Sequence, residues 1–324
     1  MADQYGVPHE AVAGMTARLS PGTDWYQNVS MAKRMLDIHT GQGDSALSQP
    51  QSALIQSYVD GQKRDAVKQA MQDEFDGMSG KTYGNLDSDM QRAMFIRSFD
   101  EANTAANPEN GYYPVIHPEG YELGTALNPS KTAPTTLGWQ SLDNIATAMN
   151  ILRNPDRANI SQQLGDAHKI RSFNNNIISP NSTAGDVTVD THQIAASHLL
   201  PIGISSPVVE HGMSGPPNTN QTGSSGLYGV YADALRGLTE DLNHENPGLN
   251  LLPRQLQSIT WEGARGLFPA AFKRSKGAAD IAPLWSSSPD AAAARDAIGA
   301  RRGVTSQGAE PARIPAPDWF QPGP

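Results

Sequence analysis

Leu164-Gly165-Asp166-Ala167-His168-Lys169-Ile170-Arg171-Ser172-Phe173, followed by Asp186-Val187-Thr188-Val189-Asp190-Thr191-His192, decides how this 324-residue chain reads. Residues 156–164 carry a short helical pattern that stops at Gly165. A second helix begins near His168, with Ile170, Phe173 and Ile177 on one side. Asn174-Asn175-Asn176 and Ser179-Pro180-Asn181-Ser182 mark its exit. Val187-Thr188-Val189 then makes a short extended approach to Asp190, which opens a third helix bearing Ile194, Ala195, Leu199 and Leu200. A glycine turn therefore joins two helices, a lysine stands in the first turn of the second, and an aspartate follows 21 residues after that lysine at another helix start.

Helical spacing continues on both sides. Residues 5–39 read as two helices broken at Pro21-Gly22, with Ser20 as a cap and Trp25, Val29, Ala32, Met35 and Leu36 as one apolar stripe. Residues 51–77 and 86–103 repeat the pattern, the first divided at Gly61. Residues 140–152 carry Leu142, Ile145, Ala146, Met149, Ile151 and Leu152, and Asn154-Pro155 ends that helix. Residues 227–242 and 254–268 are two more helices. Between them, 104–138 and 201–226 are rich in Gly, Pro, Ser and Asn and read as loops, the first with a short strand near Tyr112–Ile116. The fold class is mainly α with long Gly/Pro-rich loops. One helical domain is expected over 1–276 with a loop insertion near 104–138, and a weakly structured Ala/Pro/Arg-rich tail over 277–324.

Composition narrows the chemistry. The chain has no cysteine, so a thiolate nucleophile, Cys-ligated zinc and an iron–sulfur cluster are excluded. His192 and His198 with Asp190 do not place three ligands on one helical face, so no metal site is expected. His-Glu-x-x-His, the phosphate-binding Gly-x-x-x-x-Gly-Lys-Ser/Thr loop and Gly-x-Ser-x-Gly are all missing. The net charge of −9 argues against a globally basic nucleic-acid coat. One local basic run remains: Arg254, Arg265, Lys273, Arg274 and Lys276 against Glu262. No apolar window is long enough to cross a bilayer and no export signal opens the chain, which reads as cytoplasmic.

The lysine–aspartate arrangement, with Val189-Asp190-Thr191-His192, resembles the helix-hairpin-helix DNA glycosylase superfamily, which includes endonuclease III-like and 8-oxoguanine glycosylases. Leu19-Ser20-Pro21-Gly22-Thr23 is similar to the Leu-Ser-x-x-Thr start of its helical core. The combination with Lys169-Ile170-Arg171-Ser172-Phe173 looks closest to a branch found in bacteriophages and mobile elements, which would place the protein in a bacterial host's cytoplasm. Two positions differ from the family pattern. Ala167 stands where the hairpin usually has a second glycine, and Pro21-Gly22 replaces a glutamine of DNA-inserting members.

The resemblance implies a helix-hairpin-helix bundle acting on DNA or a nucleotide, with no cofactor. It makes Lys169 the nucleophile and Asp190 its electrostatic partner. A lysine amine attacks only when deprotonated, which partial burial and the positive end of a helix favour. A carboxylate nearby stabilises the oxocarbenium charge that develops on the sugar. A target base in a duplex is first flipped out of the stack. His192, His168, Gly165 and Arg171 are the expected substrate-side residues, and Trp139, after the Pro-rich loop, is the candidate for base stacking. Three readings stay open: a glycosylase or glycosylase/lyase used in DNA repair or modification, a nucleotide- or base-modifying enzyme on the same scaffold, and a non-catalytic DNA-binding protein in which Asp190 only caps its helix.

Overall fold

The computed structural model describes residues 1–117, 120–128, 132–198, 200–204, 206–213 and 227–267, together with residue 289. Apart from residue 289, the expected tail at 277–324 lies outside the described part, as do the basic side chains of Arg265, Lys273, Arg274 and Lys276. The chain is mainly helical and divides into two compact units, Met1–Thr188 and Val189–Pro324.

The first unit holds α1 (Ala2–Tyr5), α2 (His9–Arg18), α3 (Trp25–Gly41), α4 (Gln49–Asp60), α5 (Asp65–Asp76), α6 (Asp89–Ala106), β1 (Pro114–Ile116), β2 (Glu122–Thr125), α7 (Leu142–Arg153), α8 (Arg157–Leu164) and α9 (His168–Ile178). Its main core joins α2, α3, α4, α6 and α7 around Met15, Met31, Met35, Phe95, Ile145 and Met149. Methionine is prominent there because its unbranched thioether fills irregular gaps between helices. A second cluster, Ala17, Ile151, Ile160, Leu164 and Ile170, seats the α8–α9 pair on α2 and α7.

Several helix starts carry side-chain caps. Ser48, Ser88, Ser141 and Asp156 each accept a backbone N–H of the first turn, which satisfies donors that have no partner inside the helix. The cap of α3 is Asp24, not the expected Ser20: Asp24 Oδ1 accepts Gln27 N–H at 2.9 Å, while Ser20 is buried and turns back to donate to the Ala17 carbonyl.

In the expected loop at 104–138, residues 104–106 belong to α6 and the other described residues are held in place. Its single anticipated strand is one half of an antiparallel hairpin, β1 with β2. Both ends are tied down. Arg34 donates to both oxygens of Asp100 (3.1 and 3.0 Å) and to the carbonyls of Asn110 and Tyr112 (2.8 and 2.7 Å). The Trp139 indole donates to Asp100 Oδ2 at 2.8 Å, and Gln27 Nε2 donates to the Gly138 carbonyl at 2.7 Å. Arg34 and Asp100 are both mostly buried, at 16% and 13% side-chain exposure. Removing one member of such a pair strands the other charge. We therefore expect Asp100→Ala to cost about 3 kcal/mol in chemical denaturation and to make the 107–139 segment the first site cut in limited proteolysis. An unchanged midpoint and cleavage pattern would contradict this anchoring role.

The second unit holds α10 (Thr191–His198), α11 (Pro207–Met213), α12 (Tyr228–Glu245) and α13 (Pro253–Leu267). Helix α11 falls inside the stretch expected to be loop, 201–226, and corrects that expectation for residues 207–213. Helix α10 packs on α13, where Gln193 and Thr260 are joined by hydrogen bonds at 2.9 and 3.1 Å.

Candidate active site

The α8–turn–α9 hairpin forms where the glycine predicts it. Gly165 ends α8 at φ 59°, ψ −150°, a conformation open essentially to glycine. Ala167, at φ −76°, ψ 88°, precedes α9 in a conformation that needs no glycine. Gly165→Ala should lower stability by about 1–3 kcal/mol from backbone strain, since an added Cβ would meet nothing within 4 Å. Thermal denaturation checks this, and a neutral result would mean that the turn has an alternative conformation.

Lys169 is the second residue of α9 and is partly buried. Among the described residues it makes no hydrogen bond or ion pair. Phe173, one turn later on the same side, packs at the edge of the Ile160–Leu164–Ile170 cluster. His168 is exposed at the first position of the helix.

Arg171 has a different job from the one expected. Its Nε donates to the Gly165 carbonyl, and its terminal nitrogens donate to the Ser161 carbonyl at 2.8 Å and the Ser161 hydroxyl at 3.2 Å. The guanidinium clamps the hairpin shut. At about 100° per residue, Lys169 and Arg171 also point to roughly opposite sides of α9. The Arg171 side borders a surface groove of about 480 Å³ that includes Arg157, Ser161, Asn174 and Ile178. Lys169 does not line that groove.

Asp190 belongs to the second unit. Its Oδ1 accepts the backbone N–H groups of His192 (2.9 Å) and Gln193 (3.0 Å), the N-cap of α10. Its Oδ2 accepts the Trp261 indole N–H at 2.7 Å. The His192 ring meets Trp261 edge to face at 5.5 Å. The reciprocal half of a capping box is missing, because the Gln193 side chain is spent on Thr260. Trp261 stands on α13. Its pairing with Asp190, across 71 residues, has no local signature.

The predicted residues thus fall into three places. Gly165, His168, Lys169 and Arg171 share the hairpin. Asp190 and His192 share the start of α10. Trp139 follows the 104–138 loop, packed against the main core of the first unit with its N–H on Asp100, an anchoring position and not a free stacking surface. A more open indole is Trp25, 48% exposed at the first position of α3. It heads the apolar stripe read from the sequence but overhangs the core.

A family of unknown function, DUF7178, matches residues 1–72. That range takes in the Leu19–Val29 segment and Trp25 and ends before the α8–α9 hairpin. No curated protein and no solved structure matches the chain. No group of three His, Asp or Glu side chains able to hold a metal occurs among the described residues. No described helix is long and apolar enough to cross a membrane.

Proposed function

We propose that the protein is a helix-hairpin-helix DNA glycosylase or glycosylase/lyase that cleaves the N-glycosidic bond of a damaged or modified base. The observation that supports this most is Lys169: a partly buried amine, with no hydrogen-bond or ion-pair partner among the described residues, in the first turn after a glycine hairpin. A lysine committed to stability is ordinarily paired or fully solvated, and this one is neither.

In this reading the Lys169 ammonium gives one proton to the departing base, and the amine so freed attacks C1′ of an everted nucleotide. The C1′–N bond breaks, and its electron pair leaves with the base, which takes up that proton. The lysine nitrogen gives up a proton, the C1′–O4′ bond opens with a proton to O4′, and a Schiff base remains on Lys169. The resemblance gives the charge-stabilising role to Asp190, a residue of the second unit.

The test is incubation with a panel of duplexes carrying abasic sites and modified bases, in the presence of borohydride. A covalent protein–DNA complex on at least one of them is expected. Failure to trap a complex on any abasic duplex overturns the lyase chemistry. Base release without trapping would leave a glycosylase that uses water in place of the lysine.

A second reading, a DNA-binding protein without catalysis, draws on Asp190. All three hydrogen bonds to its carboxylate are structural, which is what a cap and helix anchor needs.

A further inference from the structure

We infer that Trp25 and Lys169 together form a binding site for one unstacked nucleotide of single-stranded or everted DNA, with the indole of Trp25 as the base platform. This rests on the same lysine as the proposed function but assigns it a neighbour and a ligand geometry. Trp25 meets Phe173 edge to face, with ring centroids 6.0 Å apart and planes at 84°. Phe173 lies four residues after Lys169 on the same face of α9. Trp25 thus touches an aromatic ring that lies one helical turn from the Lys169 side chain.

The indole is also held still. The first turn of α3 is fixed by the Asp24 cap, by Tyr113 Oη donating to Asp24 Oδ2 at 3.2 Å, and by Gln27 reaching the Gly138 carbonyl at 2.7 Å. The edge contact with Phe173 sets the ring plane while 48% of the residue stays open to solvent. A rigid platform loses little freedom when a ligand arrives, which raises affinity.

The chemistry selects the occupant. An apolar peptide would gain from the ring but leave the ammonium without a counter-charge. A nucleotide supplies both a flat π face for Trp25 and a phosphate for Lys169, the combination used by proteins that bind single strands. The Asp24 carboxylate, next to Trp25, already accepts from Gln27 and Tyr113. It disfavours a second phosphate close to the ring and limits the site to one nucleotide.

The test titrates the full-length chain with a short oligothymidylate and follows tryptophan fluorescence. Quenching is expected in the wild type, and Trp25→Phe should remove a large part of it while holding affinity within about twofold. Trp25→Ala should weaken binding by about 5- to 150-fold, the range seen when base–aromatic stacking is deleted. Lys169→Met should reduce the salt dependence of binding by about one phosphate contact. Unchanged quenching in Trp25→Phe, unchanged affinity in Trp25→Ala, or no binding of the oligothymidylate by the wild type overturns the inference. Borohydride trapping on an abasic duplex separates the two proposals. A trapped complex that forms equally well in Trp25→Ala leaves the glycosylase standing without the platform. Trp25-dependent quenching with no trapped complex leaves the platform without the chemistry.

Discussion

Lys169→Ala should abolish covalent capture of an abasic duplex, cutting its rate by about 10³-fold or more, while the protein stays folded. Two features separate this from a loss of stability. The side chain makes no hydrogen bond or ion pair among the described residues, so its removal strands no partner. The residues that seat α9, Ile170 and Phe173 with the Arg171 clamp on α8, are left in place. A denaturation midpoint close to wild type alongside lost capture is the expected pair of results. Lys169→Arg should fold equally well and capture equally poorly, because a guanidinium keeps its charge and does not attack. Capture that survives in Lys169→Ala would move the nucleophile elsewhere.

Asp190 offers the second large effect, and here structure and chemistry compete for one carboxylate. In Asp190→Asn the side-chain oxygen can still cap α10, since asparagine caps nearly as well as aspartate. The new amide then faces the Trp261 N–H, donor against donor, at a cost of about 1–3 kcal/mol. Adding Trp261→Phe removes that donor and should recover part of the lost stability. If Asp190 stabilises charge on the sugar, base release falls by about 10²-fold or more in Asp190→Asn and stays low in the double variant. If activity instead returns with stability, Asp190 is a cap and anchor, and the non-catalytic reading of that residue holds. Measuring denaturation and base release on the same three proteins decides between them.

The helices were legible because their apolar residues recur at 3.6-residue spacing and their starts carry Ser or Asp. Asp156 before α8 and Ser88 before α6 are local signals, and the sequence contains them whole. The hairpin was legible for the same reason, since only glycine takes the Gly165 conformation. What escaped was long-range. Trp139 follows a proline-rich stretch and looked available, but its partner Asp100 lies 39 residues away on another helix. Trp25 sits in register with an apolar stripe, and periodicity cannot tell that the stripe outruns the core by one turn. Arg171 reads as a substrate-side residue, yet a guanidinium ten residues after Ser161 is also well placed to close the turn between two helices. Helix α11 was hidden because Gly, Pro and Ser around it carry the loop signal while its own turns are short.

The partition of the chain bears on the mechanism. Lys169 stands in the first unit and Asp190 opens the second. Val187 and Val189, on either side of the boundary, are both buried. The hydrogen bond from Val189 N–H to the Tyr228 hydroxyl at 3.0 Å holds Val189 in the second unit.

The most direct measurement is peptide mapping of a borohydride-reduced complex between the full-length protein and an abasic duplex. The mechanism predicts a deoxyribose-derived mass on Lys169, in the peptide that follows Gly165-Asp166-Ala167-His168. A sugar mass on any other lysine, or on the N-terminal amine, would contradict it.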